Sequence, residues 1–102
     1  LSPVSASEKL GEEVGELLQA CVNGDGGEIF EEAGDVLFSA VNTCRLAGVD
    51  CEQALRAATE KFVKRFVEFE RIATENGEKI DEMDNSRQDY YWALAKNAVK
   101  KN

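Results

Sequence analysis

Apolar residues recur at three- and four-residue spacing in four stretches of the chain, a pattern typical of amphipathic helices rather than strands. The first stretch opens with Ser5 and Glu8, which have the spacing of an N-terminal capping box. Its apolar stripe consists of Leu10, Val14, Leu17, Leu18 and Cys21. The glycine-rich residues 23–27 end this predicted helix, because such residues favour turns.

A second helix is predicted from about Glu28 to Leu46, with Gly48 as its C-terminal stop. Its apolar stripe consists of Phe30, Ala33, Leu37, Val41 and Cys44. Counting its other apolar residues, this helix is apolar around half of its circumference or more, which is wide for a surface helix. We therefore expect it to be central or to lie in a subunit interface, and we predict a homodimer.

The third helix is predicted to open at a capping box formed by Asp50 and Gln53, and to end near residues 76–77. Residues 78–85 are polar and are expected to be irregular. Ser86 with Asp89 is expected to cap a last helix. Together the elements predict an all-α protein, a four-helix bundle that forms one domain over residues 1–102. Because the chain begins with Leu1, we expect a trimmed chain or a piece of a longer one.

The composition excludes several classes of function. The 102 residues include 20 acids, 12 bases and no histidine, for a net charge of −8. A protein without histidine has no Ser/His or Cys/His triad and no histidine-ligated metal. The acidity argues against a nucleic-acid partner, and no apolar run approaches the roughly 20 residues of a membrane span. Because Cys21, Cys44 and Cys51 have no C-x-x-C spacing, we expect reduced thiols and a cytoplasmic location.

The excess negative charge lies in the first third of the chain, where two helices carry acids three residues apart. Helical geometry puts Glu13 about 60° from Leu10 and Glu32 about 40° from Val36, beside each apolar stripe. If the two helices pack antiparallel, the carboxylates of both can converge. Two such charges 4 Å apart repel by about 4 kcal/mol at an effective dielectric of 20, which a hard cation would relieve. Oxygen-only ligands favour Mg²⁺ or Mn²⁺, although helix-starting surface glutamates give the same pattern without a metal.

With these motifs the chain resembles the MazG nucleotide pyrophosphohydrolase family, and most closely its C-terminal-type domain. The family pattern E-E-x-x-E, then E-x-x-D, matches Glu12, Glu13, Glu16, Glu32 and Asp35, with the 15 residues from Leu17 to Glu31 as the spacer. The resemblance continues through residues 34–38, the block Lys61-Phe62-x-x-Arg65-Phe66, and Trp92 with Lys96. Thr59 and Cys51 depart from it, since close relatives have Asn and Pro there.

The resemblance implies an all-α, Mg²⁺-dependent enzyme that converts a nucleoside triphosphate and water to the monophosphate and pyrophosphate. Such an activity would suit the removal of non-canonical nucleotides. It implies metal ligands at Glu13, Glu16, Glu32 and Asp35, and a role for Glu12 in orienting or deprotonating the attacking water or in binding a further metal.

Basic and aromatic residues complete the predicted site. Lys61 and Arg65 share a helix face at i, i+4 and, with Lys64, are placed to offset the charge of the leaving pyrophosphate. The resemblance adds Asn42, Trp92 and Lys96 as nucleotide-binding residues, with Asn42 also a candidate to hydrogen-bond a carboxylate that binds the metal. From the residues alone, the lysines and arginine could equally lie on a solvated face, and Trp92 could equally belong to the core.

Two alternatives stay open. A related all-α dCTP/dUTP or phosphoribosyl-ATP pyrophosphohydrolase would keep the chemistry and change the substrate. A non-catalytic helical domain that dimerises or senses nucleotide would release no pyrophosphate and would not respond to Mg²⁺.

Overall fold

All four predicted helices are present in the computed structural model, which describes residues 1–101. The helices are α1 (Pro3–Asn23), α2 (Gly26–Leu46), α3 (Cys51–Glu75) and α4 (Asn85–Lys101), with a short 3₁₀ turn at Ile80–Glu82. No strand occurs within these residues. The prediction of an all-α protein is therefore confirmed.

The start of α1 differs from the prediction. Ser2, not Ser5, is the N-cap: its hydroxyl accepts a hydrogen bond from the Ser5 backbone N–H at 3.0 Å, and Ser5 Oγ accepts one from the Ser2 backbone N–H at 3.0 Å. Pro3 follows at the first helical position, where its fixed φ suits the helix and its missing N–H costs nothing. Pro3 therefore moves the helix start three residues ahead of the predicted cap.

A two-residue turn joins α1 to α2. Gly24 has a left-handed backbone with φ 77°, which glycine adopts without strain. The Asp25 side chain then caps α2 by accepting hydrogen bonds from the N–H groups of Gly27 at 2.9 Å and Glu28 at 3.3 Å. The second helix thus begins two residues earlier than predicted.

The ends of the later helices follow the same chemistry. Asp50 caps α3 by accepting a hydrogen bond from the Gln53 N–H at 3.1 Å, as predicted. The cap of α4 is Asp84 rather than Ser86, because the Asp84 carboxylate accepts from the Arg87 N–H at 2.9 Å. A carboxylate at this end also interacts favourably with the helix dipole.

The chain divides into two compact units, one of residues 1–54 and one that begins at Leu55. In the first unit α1 and α2 pack against each other, and the buried side chains of α1 are the small residues Ala6 and Ala20. In the second unit a small core forms from Phe69, Ala73, Met83, Tyr91 and Ala95. Across residues 1–101, no helix has the length and apolar character needed to cross a membrane.

Candidate active site

Three carboxylates converge on one point of the first unit. Glu13 and Glu16 lie one turn apart on α1, Glu32 lies on α2, and each offers an oxygen within 4.8 Å of the other two. The α1–α2 hairpin therefore brings together acids from both motifs, as the antiparallel packing predicts.

Glu32 is the most perturbed member of this acidic cluster of Glu13, Glu16 and Glu32. Its Oε2 atom is buried and has no hydrogen-bond partner in the described part of the chain. Burial raises the pKa of Glu32 above its ordinary value, and the negative charges of Glu16 and Asp35 raise it further. The protein thus holds a carboxylate oxygen away from water with nothing to compensate its charge.

Lys9 is the basic residue nearest to this charge in the sequence. Its Nζ lies 3.5 Å from Glu13 Oε1 and 3.8 Å from Glu12 Oε2, but its own side chain is 64% exposed. Ion pairs in such exposed positions contribute little, so Lys9 offsets only a part of the repulsion. Glu12 faces solvent beside Lys9, outside the acidic cluster.

Asp35 lies one turn beyond Glu32 on α2 and is exposed. Its carboxylate is not among the three that come within 4.8 Å of one another. It is close enough to raise the pKa of Glu32 through its charge. Asp35 therefore borders the cluster without joining it in this arrangement.

The donor set and the orphaned oxygen fit a hard divalent cation. All three residues offer carboxylate oxygens, and neither nitrogen nor sulfur ligands accompany them in the cluster. Mg²⁺ prefers such oxygen ligands, and a cation would supply the partner that Glu32 Oε2 lacks. Simple surface acids would not need a buried, unpartnered oxygen.

Asn42 is half-buried on α2. Its Oδ1 accepts a hydrogen bond from Arg45 Nη2 at 2.9 Å. It lies seven residues after Asp35, so the two share a face of the helix about 10 Å apart along its axis. Its amide N–H₂ group is the part left to donate to a ligand.

Basic residues gather in the second unit. Lys61 and Arg65 on α3 line one hollow together with Asn97, Val99 and two lysines of α4, Lys96 and Lys100. Arg65 Nε is buried there without a hydrogen-bond partner among residues 1–101. The hollow, which we call the basic hollow, therefore suits an anion with several oxygen atoms.

Lys64 is not part of the basic hollow. It lines a separate depression formed with Val63, Val67, Glu68 and Val99. On α3 it lies about 60° from Lys61 and about 100° from Arg65, at the edge of the face that those two residues share. The structure thus separates Lys64 from the two basic residues with which it was grouped in the sequence.

Trp92 lines an aromatic cavity of about 320 Å³ in the second unit. Its ring centroid lies 5.2 Å from that of Phe62 and 5.8 Å from that of Phe69. The other lining residues are Phe66, Ile80, Gln88 and Asp89. An aromatic surface with a few polar groups at its edge can stack a planar base and bind its polar rim.

Comparison with known proteins decides the family. A family model described as the MazG nucleotide pyrophosphohydrolase domain matches residues 1–68. This chain belongs to that family. The match covers all of α1 and α2, with the acidic cluster, and α3 as far as Glu68.

Individual relatives include two proteins named as nucleoside triphosphate pyrophosphohydrolases. The chain is 44% identical over 94 residues to the nucleoside triphosphate pyrophosphohydrolase/pyrophosphatase MazG of Thermotoga maritima, which covers 92% of this chain and 36% of that protein. It is 38% identical over 93 residues to a nucleoside triphosphate pyrophosphohydrolase of Escherichia coli K12, covering 87% of this chain and 35% of the relative. It is 34% identical over 70 residues to the uncharacterized protein YabN of Bacillus subtilis, covering 69% of this chain and 14% of the relative. The chain thus spans about a third of the first two relatives.

Three residues of this MazG chain were missed by the sequence analysis. Gln88 and Asp89 line the aromatic cavity, and Lys100 lines the basic hollow. Helical spacing could have indicated them. Gln88 and Asp89 lie four and three residues before Trp92, and Lys100 lies four residues after Lys96. The family pattern drew attention to the matched residues alone.

Proposed function

We propose that this chain is an Mg²⁺-dependent nucleoside triphosphate pyrophosphohydrolase, which converts a nucleoside or deoxynucleoside triphosphate and water to the monophosphate and pyrophosphate. The observation that carries the proposal is the acidic cluster with its buried, unpartnered Glu32 oxygen. In a chain of the MazG family, that oxygen is accounted for by a divalent cation. Removal of non-canonical nucleotides would be a suitable role for such an activity.

Glu13, Glu16 and Glu32 would hold the cation, with Asp35 as a further ligand from the next turn of α2. A bound Mg²⁺ or Mn²⁺ would polarise phosphate oxygens and lower the pKa of a coordinated water. The protein's part is to keep these carboxylates ionised and close together, which the burial of Glu32 makes costly without a cation.

Glu12 is the carboxylate suited to proton transfer. Its side chain is 70% exposed and its Oε2 lies 3.8 Å from Lys9 Nζ, so it stays accessible to water. We assign it the orientation of the attacking water and the acceptance of its proton. Attack at the α-phosphorus would then expel pyrophosphate.

The leaving pyrophosphate carries negative charge that must be offset. We assign Lys61 and Arg65 to this task, and Lys96 to binding phosphate oxygens in the same hollow. Lys64 is assigned a weaker, peripheral role, because it lines a different depression.

The nucleoside part of the substrate needs an apolar surface. Trp92 offers a ring for stacking beside Phe62, and Asn42 offers an amide that can donate to ribose or phosphate oxygens. Gln88 Nε2 donates to the Met83 carbonyl oxygen at 3.3 Å, so its Oε1 is the atom available to a base. We expect base preference to depend on Gln88 and Asp89.

We also propose a homodimer. Along α2, Phe30 is 84%, Leu37 67% and Val41 51% exposed, and none of its residues is buried. These three side chains form one stripe, on the side of the helix opposite Glu32. A stripe of this kind is stable when covered by a second copy. The reduced cysteines suit a cytoplasmic setting for the enzyme.

The test is to incubate the chain with a panel of nucleoside and deoxynucleoside triphosphates, with Mg²⁺ or with a chelator, and to separate the products by chromatography. Monophosphate and pyrophosphate that disappear on chelation would support the proposal and would rank the bases. Diphosphate and phosphate would contradict attack at the α-phosphorus. No product from any nucleotide, in a folded chain, would favour the non-catalytic domain.

A further inference from the structure

The aromatic cavity of the second unit combines apolar side chains with two neighbouring polar ones. The apolar lining consists of Phe62, Phe66, Phe69, Ile80 and Trp92. Gln88 and Asp89 supply the polar lining, and they precede Trp92 on α4 by four and three residues, so the three share one face of the helix. The volume of about 320 Å³ is at the small end of the range for ligand pockets, which suits a single planar ring system.

The indole of Trp92 is available to such a ring system. Trp92 is half-buried, and the planes of Phe62 and Phe69 are inclined to the indole by 45° and 69°. Neither phenyl ring is therefore stacked flat on the indole. A planar base that lies against Trp92 would have Gln88 and Asp89, one turn earlier on the same face, beside its rim.

The polar lining is rich in hydrogen-bond acceptors. The Asp89 carboxylate has no donor of its own, and it takes part in no ion pair among residues 1–100. The Gln88 amide is oriented by Met83, whose carbonyl oxygen accepts a hydrogen bond from Gln88 Nε2 at 3.3 Å. Because a carbonyl can only accept, the amide nitrogen must face Met83, and Gln88 Oε1 is left for a ligand.

We propose that this cavity selects nucleotides whose base carries an exocyclic amino group, and that Asp89, assisted by Gln88, recognises that group. The inference rests on the proposed function and names its substrate class. Cytosine, adenine and guanine nucleotides are accepted, whereas uracil, thymine and hypoxanthine nucleotides are disfavoured. Among non-canonical nucleotides, those formed by deamination of the base would therefore be poor substrates.

The selection follows from the hydrogen-bonding character of the bases. An amino group can donate to the Asp89 carboxylate, and a hydrogen bond to a charged acceptor is stronger than one between neutral groups. The single N–H of the uracil ring lies between two carbonyl oxygens, so a carboxylate that approaches it also faces an acceptor. Hypoxanthine lacks the amino group of guanine and leaves an acceptor of the protein without a partner.

The size of the effect depends on how much water reaches the cavity. A site built to accept a hydrogen bond from a substrate rejects an analogue without that donor more strongly than an apolar pocket does. Asp89 is exposed, however, so water can solvate its carboxylate when a base offers no donor. We therefore expect a discrimination of about tenfold rather than the much larger factors of fully buried sites.

The test compares nucleotide pairs that differ by the amino group. With Mg²⁺, kcat/KM of the whole chain should be about tenfold higher for CTP than for UTP, and for GTP than for ITP. Asp89→Asn keeps the shape of the side chain but replaces one acceptor by a donor, and it should reduce both ratios to within about twofold. Asp81→Asn makes the same change at an exposed position outside the cavity and should keep the wild-type ratios.

Binding without turnover separates this inference from the proposed function. Trp92 is the only tryptophan of the chain, so quenching of its fluorescence by CMP or UMP reports occupancy of the cavity. CMP should quench at about one tenth of the concentration that UMP requires, and Asp89→Asn should respond to both alike. A preference for CMP in a chain that hydrolyses no nucleotide would support the base selection and contradict the proposed function.

The opposite outcomes are equally distinct. Hydrolysis with equal kcat/KM for CTP and UTP, or a wild-type ratio in Asp89→Asn, would overturn the inference and leave the proposed function intact. In a chain without turnover, equal quenching by CMP and UMP, or none by either, would overturn the inference as well. The comparison of the two bases in the wild type tests the selection even if Asp89→Asn fails to fold.

Discussion

Glu16 and Glu32 lie on different helices, yet each offers a carboxylate oxygen within 4.8 Å of the other. Such an approach between two acids is unfavourable unless a proton or a cation lies between them. The contact therefore couples the stability of the α1–α2 hairpin to whatever occupies the acidic cluster.

Replacing Glu32 by Gln should separate catalysis from stability. Loss of the buried carboxylate should reduce turnover to background, while the metal-free protein should melt at a higher temperature because a repulsive charge is gone. Glu28→Gln, an exposed position on the same helix, is the matched control. Product chromatography and thermal melts in chelator measure the two effects, and wild-type turnover by Glu32→Gln would rule out its role as a ligand.

The stabilisation of the metal-free protein by Glu32→Gln should depend on pH, and the direction of this dependence follows from the pKa of Glu32. Because the pKa of Glu32 is raised above its ordinary value of 4.5, the folded state binds its proton more tightly than the unfolded state does. The wild-type free energy of unfolding therefore falls as pH rises above 4.5 and through the folded pKa. The advantage of Glu32→Gln should be present at neutral pH and absent below pH 4.5, so an advantage at every pH would point to a cause other than charge.

Added Mg²⁺ should reverse the order of the melting temperatures of the wild type and Glu32→Gln. Binding to the folded state alone stabilises it by about 2.7 kcal/mol when the free ion is 100 times the dissociation constant. We expect the melting temperature of the wild type to rise over millimolar Mg²⁺ and that of Glu32→Gln to rise less. A flat wild-type response would argue for a helical domain that binds no metal.

Lys61 and Lys64 carry the same charge, but Lys61 lines the basic hollow and Lys64 lines a separate depression. Lys61→Met removes an ammonium group from the basic hollow and should lower kcat/KM tenfold or more, which corresponds to about 1.4 kcal/mol of transition-state stabilisation. Lys64→Met, in the separate depression, should lower it much less. Steady-state kinetics on one nucleotide measure both, and equal losses would show that the two lysines act together.

Leu37→Glu should dissociate the proposed dimer. The substitution puts a charge in the middle of the exposed stripe of α2 and leaves the acidic cluster untouched, because Glu32 lies on the other side of the helix. Ser7→Glu adds the same charge at an exposed position of α1 as a control. Sedimentation should give a dimer for the control and a monomer for Leu37→Glu, and identical masses would place any interface elsewhere.

Glu68 should give the free energy of unfolding a pH dependence opposite in sign to that given by Glu32. Arg71 Nε donates to Glu68 Oε1 at 2.9 Å, and this hydrogen bond lowers the pKa of Glu68 below its ordinary value of 4.5 against the opposing effect of burial. The pair thus adds stability above pH 4.5, which is lost as pH falls through the lowered pKa. Glu68→Gln should therefore destabilise the protein at pH 7 but not at low pH, while Glu70→Gln should do neither. Denaturant melts at both pH values test this.

The sequence predicted the helices well because their signals are local. The angle of Glu13 from Leu10 agrees with its half-buried side chain. Glu32 is half-buried near Val36, on the side of α2 opposite the exposed stripe of Phe30, Leu37 and Val41, so the predicted stripe of α2 did not indicate which side of this helix is covered. The start of α1 was wrong because Ser2 and Ser5 have equal chemistry, and the preference for Ser2 depends on Pro3. The orphaned oxygen of Glu32 could not be predicted, since it depends on how closely α1 and α2 approach. The metal ligands, basic residues and Trp92 stay predictions of function that the experiments above test.

The turn at Gly24 sets the length of the spacer between the two acid motifs. Glu16 and Glu32 each lie eight residues from Gly24, and Glu13 and Asp35 each lie eleven. Gly24 is thus the mirror point of the hairpin, and equal counts on its two arms bring the acids to matching heights. One residue inserted into either arm would rotate the acid beyond it by about 100° about the helix axis and shift it by about 1.5 Å. The number of residues between the motifs is therefore as much a part of the site as the carboxylates are.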